Sequence, residues 1–333
     1  MIWQLPFLAL LIAGSIIVIN RQHSLPYQHD TGFIFGTIYN CTYESDKDIN
    51  AEIVGELQKV DNSLSPFNDK SIIAAINNNK PIEVDDMFQS VFDKAMTISK
   101  ETDGAFDITV APLVNAWGFG FKSGNTPTAH AIDSLKSFIG YNKVKLINGR
   151  VVKSDPRLML DCSGIAKGYG CDVVAQLFDR KGIKNYMIEI GGEIVAKGVN
   201  DKRQTWKIGV TKPTDDSLDT NNELETILNI SNVAMATSGN YRNFYYKGGK
   251  KYAHTIDPKT GYPVQHNILS STVITNDCAT SDGYATAFMV MGLDKAKLVL
   301  NKHHEIMAYF IYSDNRGKNK VWFSPALADK VQK

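Results

Sequence analysis

A chain of 333 residues, 43% of them hydrophobic, is long enough to bury a large core as one big domain or two intimate ones. Its 36 Lys and Arg balance 35 Asp and Glu with no dense basic run, which excludes a general nucleic-acid binder. The four cysteines (Cys41, Cys162, Cys171, Cys278) form no C-x-x-C pair, which argues against structural zinc; their spacing permits disulfides, but buried thiols suffice.

Ile2 to Ile19 is almost wholly apolar, interrupted only by Gln4, Pro6, Gly14 and Ser15, and Asn20-Arg21-Gln22-His23 follow. That is about the minimum length for a membrane-spanning helix. It also resembles the apolar region of a signal peptide, although no Lys or Arg precedes it and no A-x-A cleavage site follows. Residues 1–21 are therefore expected to be an anchor or export signal and 22–32 a linker. Residues 33–325 then form the working domain, on the periplasmic or other extracytoplasmic side. Arg21, just after the run, argues the other way under the positive-inside rule.

Phe33 to Tyr43 alternates as a strand, and Ile49, Ile53, Leu57 and Val60 fall on one helical face. Asn62 to Asn68, with Pro66, breaks that helix; helices are expected over Lys70 to Asn77, Asp85 to Lys100 and His130 to Ile139. Val144 to Val152 is a hairpin about Asn148-Gly149, a pair suited to a type I′ turn. Leu158 to Asp161 reads as a short strand, and Ser163 as the cap of a helix running to Arg180. Strands follow at Tyr186 to Ile190, Glu193 to Lys197, Trp206 to Thr211 and Leu224 to Ile230, with a polar loop over Thr214 to Asn222. Phe244 to Tyr246 and Lys251 to Thr255 flank Gly248-Gly249 as a hairpin. A strand at Ser270 to Thr275, helices from Cys278 to Gly292 and Asp294 to Lys302, and strands Ile306 to Tyr312 and Lys320 to Phe323 close the chain. Strands and helices mix without regular alternation, so the fold class is α+β with mixed sheets.

Asp282 and Thr286, four apart, project from one helix face and can offer two oxygens to a hard cation such as Mg²⁺. The same residues also suit an ordinary helix facing water. Asp282 is expected in an open cleft without a buried partner. Asp277 or Thr280 can cap the helix, leaving its free N–H groups for a phosphate. Asp161 to Gly168 turns from strand to helix and carries Lys167, but it lacks Walker-loop spacing. Gly191-Gly192 allows close approach to the backbone or marks a tight turn, without the dinucleotide fingerprint. Thr237 to Arg242 and His254 to Pro263 form the densest polar stretch. His254 suits acid–base chemistry or phosphate binding, and equally a structural hydrogen bond.

Taken in order, Phe35-Gly36-Thr37, Asp61 to Phe67, Asp103 to Asp107, Pro112 to Gly118, Asp161 to Gly168, Gly191-Gly192, Thr237-Ser238-Gly239, His254 to Pro263 and Asp282 to Thr286 resemble the signatures of the ApbE-type flavin transferases. The resemblance covers about Phe33 to Tyr312. It implies a single T-fold-like domain and an FAD:protein FMN transferase. Such an enzyme splits FAD, joins FMN through a phosphoester to a threonine of a target protein in a membrane or exported redox complex, and releases AMP. It further implies Mg²⁺ held by Gly164, Asp282 and Thr286, and FAD contacts at Phe35, Ala105, Phe106, Asp107, Asp161, Lys167 and Ile256. His254 is the candidate for deprotonating the threonine, with Asp257 as the alternative. Hydrolysis of FAD to FMN and AMP, or flavin binding and delivery without turnover, would use the same site. Phe35 stands where the family often has Met, Asn240 replaces a common acidic residue, and the lipoprotein cysteine of many relatives is missing.

Overall fold

The structure, a computed structural model, describes residues 10–15, 25–121, 126–213, 223–240, 244–247, 250–314 and 316–332. Tyr27–Ile34 (β1) and Thr37–Glu44 (β2) pair antiparallel along their whole length, from Tyr27 opposite Glu44 to Ile34 opposite Thr37. The one strand expected over Phe33 to Tyr43 is therefore two, and the polar stretch before Phe33 joins the sheet from Tyr27. Phe35 and Gly36 turn between them with φ of +52° and +76°. That left-handed pair suits a hairpin. A phenylalanine at a position that favours Gly or Asn hid the turn inside an apolar run.

Residues 45–185 leave the sheet for a helical layer, apart from the expected hairpin of Val144–Ile147 (β3) and Arg150–Lys153 (β4). Within the layer, Asp85 caps the Asp86–Glu101 helix by accepting the Phe88 N–H at 2.8 Å, and Phe88, Val91, Phe92, Ala95 and Ile98 face inward. Leu158 to Asp161, expected as a short strand, pairs with no strand among the described residues. Its backbone is bonded instead by Asn77, which donates to the Leu160 carbonyl and accepts its N–H, and by the Ile108 carbonyl, which takes the Asp161 N–H.

The chain then lays down Tyr186–Ile190 (β5), Glu193–Lys197 (β6), Trp206–Thr211 (β7), Leu224–Ile230 (β8), Val233–Gly239 (β9), Phe244–Lys247 (β10), Lys250–Ala253 (β11), Ile268–Thr275 (β12), Met307–Ser313 (β13) and Asn319–Phe323 (β14). The main sheet runs β1-β2-β5-β6-β9-β12-β13-β14, each pairing antiparallel. β9 lies near its centre, yet apart from Val233 and Thr237 its Ala, Met, Ser and Gly residues carry little strand propensity, so the sequence does not announce it.

Alternation along β13 shows how the sheet is covered. Ala308 and Phe310 join the core under the helices, whereas Tyr309 and Ile311 join the core beneath the β7–β8 hairpin. All four cysteines are free and buried. Most of the apolar run Ile2 to Ile19 lies outside the described residues, as do the polar loop Thr214 to Asn222, Tyr241, Arg242 and Gly248-Gly249. Among the described residues no helix is long and apolar enough to cross a membrane.

Candidate active site

A cleft of about 1290 Å³ opens between the sheet and the helical layer. Two helices meet at its floor: Ala166–Arg180, here the lysine helix, and Cys278–Met291, the aspartate helix. The chain enters the lysine helix through a turn in which Asp161 Oδ1 accepts the Ser163 N–H at 2.8 Å. Ser163 does not cap the helix as expected; the cap position is Ile165, without a side-chain bond. The Cys162 carbonyl instead accepts the N–H groups of Ile165 and Ala166 and closes the turn.

That turn brings Gly164 against the aspartate helix. A Cβ there would lie 3.1 Å from Thr286 Oγ1 and 3.3 Å from Phe106 Cε2. Thr286 Oγ1 is also 3.3 Å from Ser238 Oγ of β9. One turn further on, Asp282 Oδ2 accepts the Gly168 N–H at 3.1 Å. The helices touch so closely at Gly168 that a Cβ would fall 2.3 Å from the Cys278 carbonyl oxygen. This approach buries Asp282 to 3% exposure, which corrects the expectation of an open carboxylate without a buried partner.

Beside Asp282, the Lys167 ammonium pairs with the buried Glu193 carboxylate, whose Oε2 has no hydrogen-bond partner among the described residues. Burial raises the pKa of Glu193, with Asp282 adding to the shift and Lys167 opposing it. Asp282 is likewise raised by burial against Lys167 and the Gly168 N–H. Burial works against the Lys167 charge, but the two carboxylates outweigh it and keep the ammonium protonated. Two buried carboxylates share this cation, and a second positive charge there would favour the ionised form of both. The Asp282 carboxylate and the Thr286 hydroxyl, one helical turn apart with the Gly164 turn against Thr286, are hard oxygen donors of the kind that fit Mg²⁺.

The aspartate helix offers no free N-terminus to a phosphate. Asp277 accepts its Thr280 N–H at 2.9 Å, and Asp172 accepts the N–H groups of Cys278 and Ala279.

The other predicted positions fall into two groups. Phe35, Ala105, Phe106, Asp107, Asp161, Lys167, His254 and Ile256 line the same cleft as Gly164, Asp282 and Thr286. The Phe35 ring rests on the lysine helix, where a Cβ at Gly170 would lie 2.8 Å from Phe35 Cε2. Asp107 has its carboxylate committed to the Thr109 N–H and hydroxyl and to the Tyr141 N–H, and its pKa is raised by burial. His254 meets Phe119 edge to face, 6.5 Å between centroids, and the Thr255 hydroxyl beside it donates to Asn240 Oδ1 at 2.6 Å. Asn240 thus ties the end of β9 to the histidine segment. Asp257 stands apart: it is not among the cleft residues, and its carboxylate accepts the Lys259 N–H in its own turn.

Sequence reasoning passed over Glu193 and Ser238 as site residues. A charged residue opening a strand directly after Gly191-Gly192 was a usable signal for Glu193. For Ser238 only the strand register, invisible in the sequence, places its hydroxyl on Thr286.

The profile of the ApbE family matches residues 35–310. The FAD:protein FMN transferase of Haemophilus influenzae is 36% identical over 328 residues, covering 92% of this chain and 94% of that protein. The enzyme of the same description from Vibrio cholerae is 34% identical over 315 residues, covering 91% and 93%. Among solved structures, the flavin transferase ApbE from Vibrio cholerae superimposes with a TM-score of 0.82 at 33% identity, covering 92% of this chain and 100% of that one. The apo flavinyl transferase ApbE of Pseudomonas stutzeri gives 0.82 at 27% identity, covering 92% and 97%.

Proposed function

The chain belongs to the ApbE family and is an FAD:protein FMN transferase, and we propose that it works with Mg²⁺ and a threonine of the acceptor protein. Gly164, Asp282 and Thr286 would hold the ion. The observation that carries this reading is the buried pair of carboxylates, Asp282 and Glu193, sharing the Lys167 cation in the cleft where the Gly164 turn meets the Thr286 hydroxyl. When bound, Mg²⁺ neutralises diphosphate charge and orients the leaving group.

The chain's own residues supply the rest. The cleft exceeds the roughly 300–1,000 Å³ of an ordinary small-molecule site, which suits a dinucleotide as large as FAD. Phe35, Ala105 to Asp107, Asp161 and Ile256 provide its apolar and polar walls. Lys167, kept protonated, sets a fixed positive charge beside the diphosphate. The threonine hydroxyl attacks the phosphorus on the FMN side and the bond to the AMP oxygen breaks. FMN becomes a phosphoester, AMP leaves, and His254 takes the hydroxyl proton. Asp257, bonded within its own turn, is the weaker candidate for that base.

We place the domain on the extracytoplasmic side, anchored or exported through residues 1–21, acting on a threonine-bearing protein of a membrane or exported redox complex; the apolar run Ile2 to Ile19 supports this. Incubation with FAD, Mg²⁺ and such a protein should give a covalently flavin-labelled, fluorescent band and AMP. Free FMN formed without an acceptor would favour hydrolysis instead, and tight FAD binding without AMP would favour a delivery role.

A further inference from the structure

The lysine and aspartate helices each accept, through a carboxylate of the second turn, N–H groups from the first turn of the other. Asp282, from the aspartate helix, accepts the N–H of Gly168, the third residue of the lysine helix. In return, Asp172 of the lysine helix accepts the N–H groups of Cys278 at 2.7 Å and Ala279 at 2.9 Å, the first two residues of the aspartate helix. Both exchanges flank the contact at Gly168, where no side chain fits between the helices. Asp172 itself faces away from the FAD cleft. It lines a separate cavity of about 490 Å³ with Lys94, Tyr169 and Asp277.

We propose that Asp172 is a positioning residue for the metal site: by fixing the start of the aspartate helix on the lysine helix, it sets the spacing between Gly164 and the Asp282–Thr286 pair. The inference rests on the reading of those three residues as Mg²⁺ ligands. Of the N–H groups of this helix, the Asp277 carboxylate takes only that of Thr280, from the helix's own cap position; Asp172 takes the two before it from the other helix, so its bonds join the helices as well as cap one. With Asp172 as a rigid link, displacement at either helix start is transmitted to the opposite ligand. Without it, the aspartate helix can shift along Gly168 while both helices stay intact.

Asp172→Asn preserves volume but can accept only one of the two N–H groups; Asp172→Ala accepts neither. Mg²⁺ binding, measured by calorimetry on the FAD-loaded protein, should weaken about tenfold in the first and more in the second. FAD affinity in EDTA should stay within about twofold of the parent, a pattern that general loosening of the fold would not give. Folded variants that bind Mg²⁺ as tightly as the parent would overturn the proposal. A parent that binds no Mg²⁺ would overturn the metal reading, and this inference with it, so the two failures are distinguishable. Should neither variant fold, hydrogen exchange on the unaltered protein decides. Mg²⁺ with FAD should slow exchange across residues 278–281, and an unchanged rate there would contradict the link.

Discussion

At the scale of single residues, Asp282 has two partners to satisfy: the Gly168 N–H in the protein and the proposed cation in the cleft. Asp282→Ala should therefore abolish Mg²⁺-dependent transfer. It should also cost about 1–3 kcal/mol in urea unfolding for the N–H left unmet, an effect partly offset by removing a buried carboxyl group. Full transfer activity in a folded Asp282→Ala protein would remove this residue from the metal site. His254 is separable from the ion. We expect His254→Gln to lower the transfer rate by about 10²–10⁴ while FAD affinity changes little, read from initial rates and flavin fluorescence. An unaltered rate would assign the proton transfer elsewhere.

At the scale of elements, the pairing of the lysine and aspartate helices positions the site. Gly168→Ala places a methyl against the Cys278 backbone, so the helices must separate. We expect a loss of about 1–3 kcal/mol in denaturant unfolding, or more if the backbone cannot yield; a neutral change would mean the contact is looser than its geometry implies. Asp172 adds a pH signature. Burial pushes its carboxyl up to about 7 from 3.8, against the opposing Cys278 and Ala279 N–H groups. A folded-state pKa above the unfolded value means that the folded protein holds this proton more tightly. The associated stability is fully present below about pH 3.8 and is lost as pH rises through about 7. Its slope within that window is at most about 1.4 kcal/mol per pH unit. Asp172→Asn should flatten the urea midpoint across the same window relative to the parent; parallel profiles would contradict the shift.

At the scale of the whole molecule, β1 pairs with β2 from Tyr27 onward, so the folded unit begins before residue 33. On the proposed anchoring by residues 1–21, a version starting at residue 25 should leave the membrane fraction and keep transfer activity, whereas one starting at residue 33 should expose the β2 edge and lose solubility. Retention of the shorter version in the membrane would show that residues 1–24 are not the anchor.

What the sequence disclosed follows from how locally each feature is encoded. Helical spacing alone put Asp282 and Thr286 on one face, while their reading as ion ligands came from the family resemblance; Asn148-Gly149 was legible because a turn is a local event. Asp172, Glu193 and Ser238 were not, since their roles depend on partners brought in from other elements. The β1–β2 turn was hidden by Phe35, and central β9 by its small residues.

The central claim is that this cleft transfers FMN from FAD to a threonine. Mass spectrometry of an acceptor protein after incubation with FAD and Mg²⁺ tests it most directly, with AMP quantified in the same sample. The account predicts one FMN phosphoester on a threonine for each AMP released, and neither product with Asp282→Ala. Free FMN and AMP beside an unmodified acceptor, or labelling that survives Asp282→Ala undiminished, would contradict it.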